Sequence, residues 1–228
     1  MELQDIARIS LLSLQTSLLA VLLIAGPALV LGYVFSRKHF PGRTLLRTAC
    51  LLPMVMPPVA VGFLLLSALS TNTWFGATFE ALLGGSFLLT WKACVLAAAI
   101  MSFPLALLGA ERGFDAVPRR HEQVASSLGA PPRRVFREIT LPLASRGILH
   151  GLAFAFVRAL GEFGATAVIA GNVPGRTQTL SMAIYSRFED FRDTEALFLS
   201  GLAVLFAFLI TALAERFLRR PAHTRREG

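Results

Sequence analysis

Long apolar runs separated by short polar segments dominate this chain. Five of these runs are long enough to cross a membrane core of about 30 Å, which takes about 20 helical residues. They lie at residues 9–35, 48–69, 86–110, 147–170 and 196–214. None of the runs alternates strictly between apolar and polar residues, as a membrane strand would. The pattern therefore predicts an all-α integral membrane protein with about five transmembrane helices.

Composition and charge refine this class. Of the 228 residues, 54% are hydrophobic and only 16% are charged, which is too apolar for a soluble domain. The net charge of +8 would suggest nucleic-acid binding in a soluble protein, but here the arginines are concentrated in particular connections. Cytoplasmic loops retain Lys and Arg during insertion. The first and third connections and the tail, residues 221–228, are the basic ones. We therefore expect no nucleic-acid partner, the N-terminus outside and the C-terminus inside.

A basic insert, residues 111–144, separates the third and fourth apolar runs. It carries six arginines. An amphipathic helix is predicted over 117–128 and ends at Gly129, where glycine adopts a left-handed conformation without steric cost. Two prolines then prevent continuation, and a second helix is predicted to end at Leu141 and Pro142. Such a cytoplasmic coupling helix would allow a soluble partner to transmit mechanical work into the membrane.

Prolines interrupt three of the five runs. They are Pro27, Pro53, Pro57, Pro58 and Pro104. Each removes a backbone donor and frees groups that must find partners inside the protein. Two interpretations stay open, a kink that improves helix packing and a pathway whose shape changes during transport.

Charged residues inside the fourth run are candidate functional groups, because a central Arg or Glu in a membrane is costly unless paired. Arg158 and Glu162 are four residues apart on one helical face and can pair with each other. Gly161 and Gly164 flank the pair. One interpretation is simple self-pairing, and the other is a gate where helices or subunits approach closely.

The stretch over 171–185 is rich in Gly, Pro, Thr and Gln. Asn172, Arg176 and Thr177 offer donors and a cation that suit a small oxyanion. An outer connecting loop with ordinary turn residues is an equal alternative. Whether residues 172–195 re-enter the membrane is left open.

Enzymatic motifs are missing from the sequence. It has no phosphate-binding loop, no metal-ligand spacing among its four histidines and no nucleophile motif. We therefore expect neither a metal nor another cofactor in this chain. Three classes remain, namely an importer subunit that borrows ATP hydrolysis, a stand-alone transporter or channel, and a membrane enzyme.

The basic insert resembles the signature of the membrane subunits of bacterial ABC importers. That signature is EAA, three residues, Gly, nine residues, Ile, one residue and Leu-Pro. The matching positions are Gln123, Val124, Ala125, Gly129, Ile139, Leu141 and Pro142, with Glu122 just before them. Gln123 and Val124 depart from the usual Glu and Ala. Gln preceded by Glu, together with the run over 156–185, is similar to the molybdate permeases.

The resemblance implies a homodimeric, multi-pass permease of the bacterial inner membrane. Two cytoplasmic subunits would bind ATP and magnesium and grip the matched residues, and a periplasmic protein would deliver molybdate. The chain would form one transmembrane domain over residues 1–220, in contact with lipid. Arg158, Glu162, Gly164, Asn172, Arg176 and Thr177 are the candidate pathway or gate residues. Alternatives are a tungstate or sulfate permease of the same kind, or a stand-alone oxyanion transporter.

Overall fold

The computed structural model describes residues 3–83 and 87–218, and every regular element in these ranges is helical. A π-helical turn, Phe136–Thr140, follows the seventh helix. The α-helices are α1 (Leu3–Arg37), α2 (Arg43–Val55), α3 (Pro58–Leu69), α4 (Trp74–Leu83), α5 (Trp91–Asp115), α6 (Arg119–Ser127), α7 (Pro132–Val135), α8 (Leu141–Leu160), α9 (Gly164–Ala170), α10 (Leu180–Glu189) and α11 (Asp193–Leu218). The tail, residues 221–228, lies outside the described residues.

Four helical segments of the described chain are long and apolar enough to cross a membrane, and the number is five when a bent pair is counted as one span. The four are Leu3–Arg37, Trp91–Asp115, Pro132–Leu160 and Asp193–Arg216. The fifth consists of α2 and α3, which meet at an angle of 113°. This result confirms the prediction of about five spans. The end of this bundle that carries the basic insert is termed the insert end.

The bend between α2 and α3 has a local cause. Met56 is extended, as expected for a residue before proline. Pro57 then caps α3, and Pro58 occupies its first turn, where a missing N–H costs nothing. In contrast, α1 and α5 continue through Pro27 and Pro104.

Small residues hold the centre of the bundle, where α5 packs between α1 and α8. Gly109 and Gly113 of α5 face Gly151 and Gly147 of α8. A β-carbon on Gly109 would lie 2.2 Å from the Cα of Gly151, and one on Gly147 would lie 2.5 Å from the Cα of Gly113. Backbones therefore touch directly, which is how helices gain close packing within a membrane.

Two predicted boundaries were wrong. The fourth run is not one helix over 147–170, because the chain leaves the helix at residues 161–163 and resumes as α9. The second helix of the insert does not end at Leu141 and Pro142 but continues into α8. Leu141 donates its N–H to the carbonyl of Phe136, five residues back, so the helix widens just before Pro142. Proline has no N–H to donate, and the helix continues past it as α8.

Candidate functional site

The basic insert folds as a short helix followed by a sharp stop. Gly129 has a φ of 83°, which confirms the predicted left-handed conformation. The N–H of Gly129 donates to the carbonyl of Ser126 at 3.0 Å, and the N–H of Ala130 donates to that of Ala125 at 3.1 Å. This bond pair is a Schellman motif, which satisfies the last carbonyls of α6 and fixes the direction in which the chain leaves.

One face of α6 exposes apolar side chains to solvent. Val124 is 52% exposed and Leu128 is 82% exposed, and they lie four residues apart on the same face. Gln123 is also exposed, whereas Ala125 is half-buried. Apolar side chains displayed on a well-anchored polar helix are typical of a protein contact surface.

Glu122 points away from that face and into the protein. Its Oε1 accepts a hydrogen bond from the Arg37 guanidinium at 3.0 Å and another from the Thr140 hydroxyl at 2.8 Å. Arg37 also donates to the carbonyl of Val117 at 3.0 Å. One carboxylate thereby joins the end of α1, the helix α6 and the π-helical turn. Glu122 is thus an anchor of α6, rather than part of its exposed surface.

A second set of ionic contacts at the insert end was not predicted from the sequence. Glu111 of α5 is 7% exposed. Its two carboxylate oxygens both accept a hydrogen bond from Arg47 Nε, at 3.1 and 3.0 Å. Arg43 approaches the same carboxylate at 3.8 Å. Nearby, the Ser36 hydroxyl donates to Asp115 at 2.6 Å. These contacts fasten the ends of α1 and α2 to the end of α5.

The remaining signature residues lie where the insert rejoins the membrane helix. Ile139 belongs to the π-helical turn and is half-buried, and Leu141 and Pro142 open α8. The turn is held by an aromatic cluster, in which the Tyr33 ring lies 5.3 Å from Phe114 and 5.1 Å from Phe136, edge to face in both cases. The cluster therefore packs the π-helical turn against α1 and α5.

Arg158 and Glu162 form the predicted ion pair. The Arg158 Nη1 lies 2.7 Å from Glu162 Oε2. Glu162 is not on the helix, however. It lies in the break after α8, and its other oxygen accepts the N–H of Ala165 at 2.9 Å. The carboxylate thus joins the end of α8 to the start of α9 while being only 3% exposed.

The start of α3, just after the bend, contacts the start of α9, just after the break that follows α8. A β-carbon on Gly164 would lie 2.7 Å from the Cβ of Pro58, and one on Gly62 would lie 2.9 Å from the Cα of Ala165. Gly164 therefore lies at a close helix contact, as the sequence suggested. A β-carbon on Gly161 would find only carbonyl oxygens of its own preceding turn within 4 Å. The starts of the two helices are therefore in direct contact.

The segment between α9 and α10 uses most of its polar groups internally. Thr177 is fully buried, and its hydroxyl accepts the N–H of Val173 at 3.0 Å and donates to the carbonyl of Gly171 at 3.2 Å. The Asn172 amide oxygen accepts a hydrogen bond from Gln178 at 3.0 Å. Thr177 and Asn172 therefore shape this segment, and neither is brought together with Arg158 and Glu162.

Arg176 is exposed and lines an open cavity of about 660 Å³ at the end of α5 opposite the insert. Lys92 lines the same cavity, together with Gln15, Thr16 and Thr90. Because α5 begins at Trp91, Lys92 lies in the first turn of its helix. Two cations and several hydroxyl and amide groups thus converge on one cavity.

Among the described residues, no cluster of three or more His, Cys, Asp or Glu side chains is placed to hold a metal ion.

Comparison with known proteins identifies the family. Residues 28–223 match the family described as the binding-protein-dependent transport system inner membrane component. The chain belongs to this family. It is accordingly a multi-pass protein of the inner membrane and a permease component of a transport system.

Curated relatives are similar over most of the chain. The molybdenum transport system permease protein ModB of Escherichia coli K12 is 43% identical over 77% of each chain. A putative molybdenum transport system permease of Bacillus subtilis is 36% identical over 87% of this chain and 88% of its own. The sulfate transport system permease CysT of Salmonella typhimurium is 33% identical over 84% of this chain and 70% of its own.

Solved structures share the fold. An inward-facing structure of the MetNI methionine ABC transporter superposes with a TM-score of 0.72 at 16% identity, covering 96% of this chain and 98% of that one. An alginate ABC transporter gives a TM-score of 0.69 at 18% identity, covering 97% of this chain and 81% of that one.

Proposed function

We propose that this chain is the membrane subunit of an ATP-driven importer that moves molybdate from the periplasm to the cytoplasm by alternating access. The single observation that carries the substrate is the similarity to molybdenum permeases at up to 43% identity over 77% of the chain. Sulfate is the alternative substrate, supported by the lower similarity to sulfate permeases.

ATP hydrolysis is assigned to partner chains. Two ATP-binding subunits, which use ATP and magnesium, would bind the exposed face of α6 that carries Val124 and Leu128. The Schellman turn at Gly129 and the contacts of Glu122 favour this role, because a helix that transmits force needs a fixed attachment. Ile139, Leu141 and Pro142 would pass the displacement into α8.

A homodimer is the assembly proposed, with the insert end in the cytoplasm and the N-terminus in the periplasm. A periplasmic molybdate-binding protein would deliver the ion to the opposite end. Arg158, Glu162 and Gly164 would hold the gate where the start of α3 meets the start of α9. Arg176 would attract the anion. Thr177 and Asn172 would stabilise the conformation of the segment between α9 and α10, which carries Arg176, through their internal hydrogen bonds.

Reconstitution tests the proposal. The chain is co-purified with its ATP-binding chain, placed in proteoliposomes and supplied with the binding protein and labelled molybdate. ATP-dependent uptake of molybdate that exceeds that of sulfate is expected. Uptake of sulfate in preference to molybdate would reassign the substrate, and uptake without any ATP-binding chain would exclude the importer mechanism.

Orientation has its own test. A cysteine at Asp190 should react in intact cells with a membrane-impermeant thiol reagent, and one at Arg119 should not, provided that the reagent labels both after permeabilisation. Labelling of Arg119→Cys in intact cells would reverse the proposed orientation.

A further inference from the structure

An open groove of about 730 Å³ runs between α1 and the helical segment that leaves the basic insert. Its walls are apolar side chains of α1, of the π-helical turn and of the start of α8. The principal lining residues are Gly26, Leu29, Val30, Tyr33, Phe136 and Leu141. This groove, named the acyl groove, does not include the exposed face of α6 or any of the candidate gate residues.

The acyl groove extends from the polar end of α1 into its apolar part. Gly26 is eleven residues before Arg37, which corresponds to about 16 Å along the helix axis. A β-carbon on Gly26 would find no heavy atom within 4 Å, so the groove is open at that depth. Val30, one turn further on, is 63% exposed. The cleft therefore follows the direction of a lipid acyl chain.

Two guanidinium groups border the groove at the insert end. Arg133 and Arg137 line it, lie four residues apart and are exposed. Within the described part of the chain neither has an ion-pair partner, whereas Arg134 pairs with Glu138 at 2.9 Å and Arg37 pairs with Glu122. Among the described residues, no carboxylate pairs with either of these two charges.

We propose that the acyl groove binds an anionic phospholipid, with one acyl chain along α1 and the phosphate between Arg133 and Arg137. Guanidinium groups pair with phosphate oxygens through two parallel hydrogen bonds, so the charge and geometry at this end are complementary to a headgroup. A free phosphate ion would leave the apolar length of the groove unused. A soluble partner at the insert end would not reach Gly26 within the span.

Lipid binding is measured by native mass spectrometry of the purified complex titrated with phosphatidylglycerol or with phosphatidylcholine of the same acyl chains. The wild type should retain phosphatidylglycerol about tenfold more strongly. The double change Arg133→Gln with Arg137→Gln should remove this preference. The matched control is Arg119→Gln with Arg120→Gln, which deletes the same charge from exposed positions of the insert that do not line the groove. The control should keep the preference.

Gly26→Leu tests the apolar part separately, since it fills open space on a helix without a backbone clash. It should lower retention of both lipids while leaving elution on gel filtration unchanged. Equal loss of preference in the two arginine double variants would overturn the proposal, because general surface charge would then explain binding. Displacement of the bound lipid by inorganic phosphate alone would also overturn the proposal. A Gly26→Leu variant that changes oligomeric mass and not lipid retention would overturn it too, because the groove would then be a contact between copies. The result does not depend on which ion is transported.

Discussion

The guanidinium of Arg37 lies 3.0 Å from the carboxylate of Glu122, and this contact attaches the short helix α6 to the end of the first membrane helix. The two residues are 85 positions apart in the chain. Thr140 donates to the same carboxylate oxygen, so α1, α6 and the π-helical turn share one anchor. The contact therefore joins α6 directly to α1 and, through the π-helical turn, to the start of α8.

Glu122→Ala should weaken this anchor and lower stability by about 2–3 kcal/mol, because two hydrogen bonds to a charged group are lost and the Arg37 side chain, 10% exposed, is left unpaired. Thermal unfolding of the purified complex measures the loss. Gln123→Ala is the control, since Gln123 is exposed and adjacent, and it should leave the melting temperature unchanged. A Glu122→Ala variant as stable as the control would show that the contact does not hold α6.

Gly129 should tolerate asparagine better than alanine or valine. Its φ of 83° favours glycine, and a β-carbon there would meet nothing within 4 Å, so the constraint is backbone conformation and not space. Asparagine adopts left-handed conformations more readily than other non-glycine residues, whereas alanine costs about 1 kcal/mol and valine more.

The assay for Gly129 is stimulation of ATP hydrolysis by loaded binding protein in proteoliposomes. Stimulation should fall in the order Gly, Asn, Ala, Val. If Gly129→Val couples as well as the wild type, the turn is not needed for transmission.

Local patterns were sufficient to predict the spans and the turn at Gly129, because both depend on residues close together in sequence. The anchors at the insert end were missed for the opposite reason. Arg47 and Glu111 are 64 positions apart, and Ser36 and Asp115 are 79 apart, so no periodicity connects them. Only the packing of α1 and α2 against the end of α5 brings these groups together.

The break after α8 illustrates a different limit. Residues 161–163 lie within a continuous apolar run, and the spacing of Arg158 and Glu162 fits an unbroken helix equally well. The discriminating contact is the bond from the Ala165 N–H to Glu162, which satisfies a free backbone donor in the first turn of α9. An acidic residue followed by a short apolar segment was the available signal, and its pairing with Arg158 obscured it.

Removing one partner of the Arg158–Glu162 pair should have unequal effects. Arg158→Ala leaves a carboxylate that is 3% exposed without its cation and should cost about 3–5 kcal/mol. Glu162→Gln removes the charge but keeps an oxygen for the Ala165 N–H, and the Arg158 side chain, 33% exposed, can reach solvent. Its cost should be about 1–2 kcal/mol.

Combining Arg158→Ala with Glu162→Gln should recover part of the loss, because no unpaired charge then remains. Thermal unfolding and transport rate are measured for the four members of the cycle. A double variant less stable than the sum of the single losses would contradict the pairing, as would an Arg158→Ala variant with unchanged stability.

The cavity that holds Lys92 and Arg176 should govern how efficiently the anion enters. Changing both residues to glutamine removes two positive charges from the same 660 Å³ cavity, and cations in a cleft raise the local concentration of an anionic substrate. Molybdate uptake per ATP hydrolysed should fall by about threefold or more, with the loss smaller at high salt. Stimulation of ATP hydrolysis by the loaded binding protein should be unchanged, because docking and coupling are expected to be intact.

Arg8→Gln is the control, since Arg8 lines a neighbouring cavity that also contains Asp5. If uptake and stimulation fell together, the two cations would belong to the docking surface of the binding protein, and if neither fell, the cavity would have no part in transport.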